Sequence, residues 1–536
     1  MPLRRFVLLL LPSLLWLLPA DGSTSETARQ FDVVVYGGTS GGVIAAVAAA
    51  REGAAVALLE PGRHLGGMSS GGLGWTDHGH KETIGGYSRE FYERVGKYYD
   101  KRIVWYFEPH VAERVFNDMP AEAGVKVFLE HRLKEKGGVR KQGSRITSIR
   151  MEDGSDFRAR VFVDSTYEGD LMAQAGVSYT VGRESVAQYG EEAAGVYPTE
   201  EKRFTPEERS KFGLHVSAYD DRGKLLPEIQ PGPRGKLGSA DKKVQAYCFR
   251  LCLTDDPGNQ LRYPKPPDYD PHRYVLLARL LEALGKKNGA APRMKQVFIV
   301  SRLEDRSKAD INNNGRFLFS TDYIGRSWDY PTAGYQRRAE IWNDHINYTK
   351  GLFYFLAHDP QVPKPLRDEM NRWGLAKDEF VDNGHWPYQL YIREARRMVG
   401  DFVMPQKDIQ TELTKPDTIG MGSYASDSHN VQRFAKADGT VSVEGNTYVP
   451  VSPYQIPYRV MLPKREQVTN LLAPVRVSAS HVAFSTLRME PVYMILGHAA
   501  GVAASMAAQR GGPVQEVDIP ALQKELRRQG AVLAGE

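Results

Sequence analysis

Residues 31–61 read FDVVVYGGTSGGVIAAVAAAREGAAVALLEP. A β-branched run, Val33-Val34-Val35, enters the small-residue turn Gly37-Gly38-Thr39-Ser40-Gly41-Gly42. An alanine-rich helical pattern runs from Val43 to Arg51, Gly53 stops it, and Val56 to Leu59 form a second strand ending on Glu60. The turn matches G-x-G-x-x-G at its first and last positions, Gly37 and Gly42. The first glycine permits a tight turn and the last lets the helix pack on the strand, so the helix amides and dipole face a pyrophosphate. Glu60 stands 23 residues after Gly37, where an acid accepts hydrogen bonds from an adenosine ribose. Thr39 replaces the middle glycine; its Cβ pushes a ligand outward, and its hydroxyl is expected to donate to a phosphate oxygen.

The segment after Glu60 favours FAD over NAD. The stretch GRHLGGMSSGGLGWTD, residues 62–77, places Gly66-Gly67 and Gly71-Gly72 directly after the ribose acid, a second loop of close approach. NAD-binding units run straight into another helix there.

The 536 residues are enough for two or three domains with real cores, and 41% hydrophobic with 25% charged residues is ordinary globular composition. A net charge of +5 with interspersed signs, and no basic cluster interleaved with aromatics, gives no support to a nucleic-acid partner. Arg4 and Arg5, the apolar run Phe6 to Leu18, and Ala20-Asp21-Gly22 have the order of a secretory signal peptide over residues 1–22. The run is short of the roughly 20 residues a span needs. The expectation is an exported protein, periplasmic or secreted, with no membrane span in the mature chain. The only cysteines, Cys248 and Cys252, would lie about 13 Å apart on one strand face, beyond disulfide reach. They are expected to pack, and no redox CxxC exists.

Shorter strands are expected in VKVFLEHRL, RITSIRME and RARVFVDST between residues 123 and 166, and an irregular insertion over 190–245. Ile341, Trp342, Ile346, Leu352, Phe353 and Leu356 recur at helical spacing, and Asp359-Pro360 stops that helix. RMEPVYMILGHAAGVAASMAAQRGG starts a helix at Pro491 and ends it at Gly511, with Gly497 and Gly501 on a flat face. Small residues at both ends imply an α/β fold: a Rossmann-like FAD-binding domain from residues 29–185 and 465–515, with a mixed α+β substrate domain, 186–464, inserted. IGMGSYAS, residues 419–426, imitates a second glycine fingerprint, but its flanks, Lys415-Pro416-Asp417 and Asp427-Ser428-His429, make it a loop near flavin or substrate.

The chain resembles the FAD-dependent oxidoreductase family of secreted bacterial proteins, within the glutathione-reductase-type flavoproteins. Most of the mature chain carries the likeness: YGGTSGGVIAAVAAAR, HLGGMSSGGLGWTD, DSTYEGDLMAQAGVSYTVGRE, FRLCLTDDP, DINNNG, REARRMVGD, IGMGSYASDSH and VSASHVAFSTLRMEP. Thr39 is usual in that family. The resemblance implies Gly37, Gly38, Thr39, Ser40, Gly41 and Gly42 around the pyrophosphate and Glu60 on the ribose. It further implies Arg63 and Gly66-Gly67-Met68 along the remaining cofactor path, and Leu133 touching adenine through its backbone. The helix from Pro491 would aim its N-terminus at the flavin N1–C2=O edge. The substrate and the electron acceptor stay open.

A flavin dehydrogenase needs a C–H bond aimed at N5 and a base for the accompanying proton. His481, just before the final helix, is the first candidate base, with a buried structural histidine as the plain alternative; His429 is the second. Arg393, Arg396 and Arg397 could clamp an acidic substrate, balance reduced flavin or, on a helix, pair with Glu394 and Asp401. Arg488 and Glu490 read as a structural ion pair. His78 and His80 have spacing that could bind a metal or attach flavin covalently, but no further ligands lie nearby, so neither is expected. Asn312-Asn313-Asn314 reads as turn chemistry. The expected activity is hydride transfer between a small molecule, with a sugar or polyol as candidate class, and non-covalent FAD. The rivals are a secreted carbohydrate-active protein using FAD or NAD transiently for elimination or hydrolysis, and a non-catalytic polysaccharide-binding protein.

Overall fold

A computed structural model describes residues 29–199, 205 and 213–534. The signal-peptide reading of residues 1–22 lies outside the described residues. The opening stretch folds as β1 (Arg29–Tyr36), α1 (Ser40–Arg51) and β2 (Val56–Leu59). Two helices, α2 (Gly86–Lys97) and α3 (Pro109–Glu122), lead to β3 (Lys126–Phe128), β4 (Val139–Gln142), β5 (Arg145–Arg150) and β6 (Asp156–Asp164). Strand order is β3-β2-β1-β6-β5-β4. The pairs β3–β2, β2–β1 and β1–β6 are parallel, and β6–β5 and β5–β4 antiparallel. β6 is shared along its length: Asp156 and Phe157 pair with β5, while Phe162 and Val163 pair in parallel with Leu471–Leu472. One sheet therefore joins the first described strand to the strand Leu471–Leu472 from the C-terminal part of the chain.

Val33, Val34 and Val35 are fully buried, the continuous apolar run expected of a strand covered on both faces. Against one face lies α1, and against α1 lies the helix Glu490–Arg510. A Cβ on Gly497 would overlap the Gly41 carbonyl, and one on Gly501 would overlap that of Ala45. The small-residue face thus brings two helix backbones into direct contact. Its composition also makes Glu490–Arg510 long and apolar enough to cross a membrane, contrary to the expectation that no segment beyond the leader is. Its most apolar stretch is 94% buried, because the alanines and glycines are selected for helix packing.

The rest is built around a five-stranded antiparallel sheet, ordered Phe298–Arg302, Lys308–Asn313, Leu251–Thr254, Gly374–Ala376, Gln260–Leu261. The long helix α4 (Tyr335–His358) packs beside it and stops at Asp359. Cys252 lies in the sheet; Cys248 precedes it, and both are free and buried. Two expectations fail here. IGMGSYAS is not a loop: Thr418–Gly422 and Ser426–Ser428 are strands, because Gly420 must lie against Ile495 with no room for a Cβ. Asn312 and Asn313 end a strand, leaving only Asn314 to the turn.

Candidate cofactor groove and buried histidine network

In an open α/β sheet, ligands gather beyond the carboxyl ends of parallel strands, where the winding reverses. Here that point lies between β1 and β6, with β2 and β3 to one side. The turn after β1 and the turn after β6 meet there. Gly37 has φ +101°, and a Cβ on it would sit 2.7 Å from the Thr166 amide. Asp164, the last residue of β6, organises its own turn by accepting from the Thr166 hydroxyl at 2.7 Å and the Met172 amide at 2.8 Å.

The geometry explains Thr39. It is the N-cap of α1: its hydroxyl accepts from the Gly42 amide at 3.2 Å and donates to the Ser165 carbonyl at 2.8 Å. The hydroxyl is thus engaged within the protein and does not reach for a phosphate, which corrects the expectation. Such a cap is worth about 1 kcal/mol, and here it also ties α1 to the turn after β6. Helix α1 begins at Ser40, three residues earlier than its apolar pattern.

A groove of about 630 Å³ opens over this junction. Of the expected site residues, Gly37, Thr39, Glu60 and Arg63 line it. Glu60 accepts from the Gly38 and Gly62 amides at 2.6 Å each. Burial pushes its carboxyl up to about 7, against those two hydrogen bonds. Ser40, Gly41 and Gly42 serve the scaffold: the Ser40 hydroxyl donates to Glu490 at 2.5 Å, Gly41 abuts the Tyr493 carbonyl, and Gly42 abuts that of Gly37. The second glycine loop lies along the first, with the Gly66 amide donating to the Gly38 carbonyl at 2.7 Å. Gly66 and Gly67 leave room for the rings of Phe116 and Tyr167, and the Met68 amide donates to the Tyr167 hydroxyl at 2.9 Å. Leu133 needs correction as an adenine contact. It is fully buried, its amide donates to the Tyr36 hydroxyl and its carbonyl accepts from that of Tyr335. Glu130 and Arg132 stand at the groove instead, because the expected strand ends at Phe128.

Sequence reasoning missed most of the opposite wall. Tyr167 and Glu168 come just after β6, Tyr335, Arg338 and Trp342 come from α4, and Trp386 and Tyr388 from a loop. Only the first pair had a signal: DSTYEGD ends an expected strand, RARVFVDST, and continues into a Gly-containing turn. Asp170 holds this wall together by accepting from Arg338 at 2.6 and 3.0 Å and Arg396 at 2.6 Å. Burial raises its carboxyl, but the two guanidinium groups outweigh burial and hold it below the usual range.

The catalytic candidates are buried deeper and are linked. His481 starts the short helix α5 (His481–Leu487); its Nδ1 lies 3.0 Å from both Glu394 oxygens. Arg397 bonds Glu394 and, at 2.5 Å, Glu184, whose other oxygen accepts from the His481 amide at 2.9 Å. Burial pushes the Glu394 carboxyl up, yet His481 and Arg397 outweigh it and hold it at about 2. Gln245 connects this group to His429, donating to Glu394 at 3.4 Å and accepting from the His429 amide at 3.1 Å. His429 Nδ1 is 2.7 Å from Asp322, which also pairs with Arg393 at 3.1 Å. Burial and Arg393 push His429 down to about 4. The arginines of residues 393–397 are therefore not on a helix. The segment is extended, with Arg397–Met398 pairing with Tyr179–Thr180, because each guanidinium answers a partner from a distant element.

Nor do Arg488 and Glu490 pair. Arg488 donates to the Tyr391 hydroxyl and the Asp427 carbonyl. Glu490, first residue of α6 (Glu490–Arg510), accepts from Ser40, Ser69 and Tyr167. The N-terminus of α6 therefore adjoins the glycine turn. His78 bonds the Gly79 carbonyl and Tyr106, His80 bonds Glu82, and among the described residues no group of three or more His, Cys, Asp or Glu could hold a metal.

The groove volume lies in the range of cofactor sites. The amides opening α1 have no carbonyl partner within their helix, and Glu60 would supply an acceptor to a ribose placed over it. A dinucleotide with one pyrophosphate fits this set. The acid yields a test. Ribose hydroxyls favour the carboxylate, so binding lowers the Glu60 pKa and releases a proton. Dinucleotide affinity should rise as pH climbs through about 7 and level off above it. Without ligand the sign reverses: a raised carboxyl makes the fold lose stability from the unfolded pKa near 4.5 up to about 7. Glu60→Gln should flatten the binding profile and weaken its plateau by roughly 10- to 100-fold, one charge-assisted hydrogen bond. Fluorescence titration with FAD at pH 6 and pH 8 checks both; an equal pH slope in parent and variant places the ribose elsewhere.

A family model described as FAD dependent oxidoreductase matches residues 32–526. No curated protein matches. Solved structures match over partial lengths. Thioredoxin reductase of T. acidophilum is 21% identical over 26% of this chain and 36% of its own, with TM-score 0.18. L-Proline dehydrogenase of P. horikoshii is 15% identical over 30% and 59%, with TM-score 0.24. THI4 of Thermovibrio ammonificans is 20% identical over 29% and 66%, with TM-score 0.23. The chain spans less than two thirds of each of these proteins. With the family match running nearly end to end, the chain belongs to the FAD-dependent oxidoreductase family, and FAD is its cofactor.

Proposed function

We propose that the protein is an exported dehydrogenase or oxidase that takes a hydride from a small neutral polyhydroxylated molecule, a sugar or polyol. One observation carries the substrate class. A second cleft, about 760 Å³, has Trp75 and Tyr106 stacked at 3.7 Å in its wall and Asp77, His78 and Tyr424 further in. Flat aromatic faces cover the C–H faces of a sugar ring, and carboxylate and phenol answer its hydroxyls. Burial raises the Asp77 carboxyl, and Arg250 and Arg488 counter it. Arg488, whose charge reaches Asp77 of the cleft, closes α5 immediately before α6.

FAD, when bound, supplies the hydride acceptor. The chain supplies the proton acceptor. His481 is the better base on physical grounds: Glu394 and Arg397 fix its ring. His429, at about 4, is too weak a base to draw a proton efficiently near neutral pH. Arg397 then positions His481 through Glu394. Export rests on Arg4-Arg5 and the apolar run behind them. The acceptor that reoxidises the cofactor is a separate diffusing molecule in this reading, because IGMGSYAS builds two strands and not a second nucleotide turn.

The expected preparation is yellow, releases FAD on acid precipitation, and bleaches anaerobically with particular neutral sugars or polyols. Trp75→Ala should raise KM for that substrate by roughly tenfold with little change in kcat, as loss of a ring contact does. Bleaching by amino acids or amines while every polyol fails would overturn the substrate class.

A further inference from the structure

Arg393, Arg397, Arg433, Arg476 and Arg488 are all fully buried. Four of them have clear partners. Arg393 donates to the Ala246 carbonyl at 2.5 Å and Cys248 at 3.1 Å, and Arg397 to Glu184 at 2.5 Å. Arg433 donates to the Glu228 and Leu318 carbonyls at 2.7 and 3.0 Å, and Arg488 to Asp427 and Tyr391 at 2.5 and 2.9 Å. Arg476 differs. Its Nε and Nη1 have no hydrogen-bond partner, and its Nη2 reaches only the Tyr493 hydroxyl at 3.5 Å. Among the described residues no carboxylate lies within 4.0 Å of it. A guanidinium cannot escape burial by losing its proton, unlike lysine or histidine. An unpaired buried charge of this kind is strongly disfavoured unless an anion answers it.

Its position says which anion. Arg476 comes after the strand Leu471–Leu472, the last strand of the parallel sheet, four residues beyond its carboxyl end. Its stem packs where a Cβ on Gly169 would be 3.2 Å away, next to groove residue Glu168. Its head meets Tyr493 in the first turn of α6, the helix whose Glu490 bonds Ser40 of the glycine turn. Two acids that feel its charge are already engaged: Glu490 accepts from Ser40, Ser69 and Tyr167, and Glu168 from Tyr330. The Arg476 charge counters burial at both carboxyls, so it stands within electrostatic reach of them without contact.

We propose that Arg476 is the counter-charge for an anionic group of bound FAD, held between the turn after β6 and the N-terminus of α6. Two groups of the cofactor have that chemistry: the pyrophosphate, and the pyrimidine edge of the flavin when reduced. Both are anionic, and the test separates them.

Arg476→Met removes the charge and keeps most of the stem. FAD dissociation from the purified holoprotein should be at least tenfold more favourable, with far-UV circular dichroism unchanged, and Arg476→Lys should restore part of the affinity. ADP, used as a competitor, carries the pyrophosphate without the flavin. If its inhibition constant rises by the same factor as the FAD constant, the partner is the pyrophosphate. If ADP competes as before while the midpoint potential of the bound flavin falls, the partner is the flavin ring. A folded Arg476→Met protein with FAD affinity within twofold of the parent and the same potential overturns the proposal. Should Arg476→Met not fold, Arg476→Gln carries the same readings. Failure of both to fold, unrelieved by excess FAD, also overturns it, since the charge would then serve the fold alone.

Discussion

Gly42→Ala should give a protein that retains no FAD and melts well below the parent. A Cβ at this position would overlap the Gly37 carbonyl oxygen and lie 3.0 Å from the Ser165 Cβ. Neither neighbour is a flexible side chain that can swing away. Gly37 is fixed at φ +101° between Thr166 and the end of β1, and Ser165 is fixed by the Thr39 bond to its carbonyl. The helix must therefore move off the turn. Overpacking of a core costs about 1–3 kcal/mol and occasionally more, and here the shift also breaks the Thr39 cap and its bond to the Gly42 amide. Moving α1 strains α6 as well, because the two helices touch backbone to backbone at Gly497 and Gly501. The control is Gly512→Ala, where an added Cβ meets only the Arg510 side chain at ordinary contact distance. That variant should keep its flavin and melt within a degree or two of the parent. The measurements are flavin absorbance per chain after purification with added FAD, and a thermal melt of each protein. A yellow Gly42→Ala protein with parental stability would show that the turn does not depend on this contact.

How much of the fold and site is legible in the sequence varies with the range of the forces involved. β1, α1, β2 and the final helix are legible because their signals are local: a valine run, a glycine turn, Pro491 at the helix start and Gly511 at its end. Thr39 is different. Its residue type stands out in the sequence and its role does not, since the Ser165 carbonyl that its hydroxyl meets is 126 residues away. The arginines at 393–397 have helical spacing between charges; the expected Arg397–Glu394 pair forms, but without a helix, and the other pairings are tertiary. Arg397 answers Glu184, Arg393 answers Asp322 and Arg396 answers Asp170, three elements that lie apart in sequence. Adjacency suggests Arg488 as the partner of Glu490, yet Ser40 takes that carboxylate from 450 residues away. Ionic and hydrogen-bonding partners in a fold closed from both chain ends are non-local by construction, and periodicity carries no information about them.

His481→Asn should slow substrate-driven flavin reduction by roughly 10²–10⁴-fold, the usual worth of general base catalysis, while leaving the flavin spectrum intact. Asparagine is close in size and can present an amide where Nδ1 now lies 3.0 Å from Glu394, so the site keeps a hydrogen bond and loses a proton acceptor. The bond from the His481 amide to Glu184 belongs to the backbone and survives the substitution. Ser480 continues to cap α5 through its hydroxyl and the Ala483 amide at 3.1 Å. Stability should therefore change by about 1–3 kcal/mol at most, the cost of disturbing one buried polar group. Reduction by dithionite, which needs no base, should proceed as in the parent. If His481 is a packing histidine, the pattern inverts: the variant loses stability or flavin, and each remaining flavin turns over at the parental rate. Glu394→Gln distinguishes positioning from direct chemistry. It removes the charge that orients the ring and leaves Glu184 as the one carboxylate bonded to Arg397. Its rate should fall less than that of His481→Asn, since the proton acceptor remains and only its orientation is loosened. A His481→Asn protein that bleaches with substrate as fast as the parent would overturn His481 as the base, and His429→Asn would be the next substitution to measure, although burial and Arg393 make that ring the weaker base.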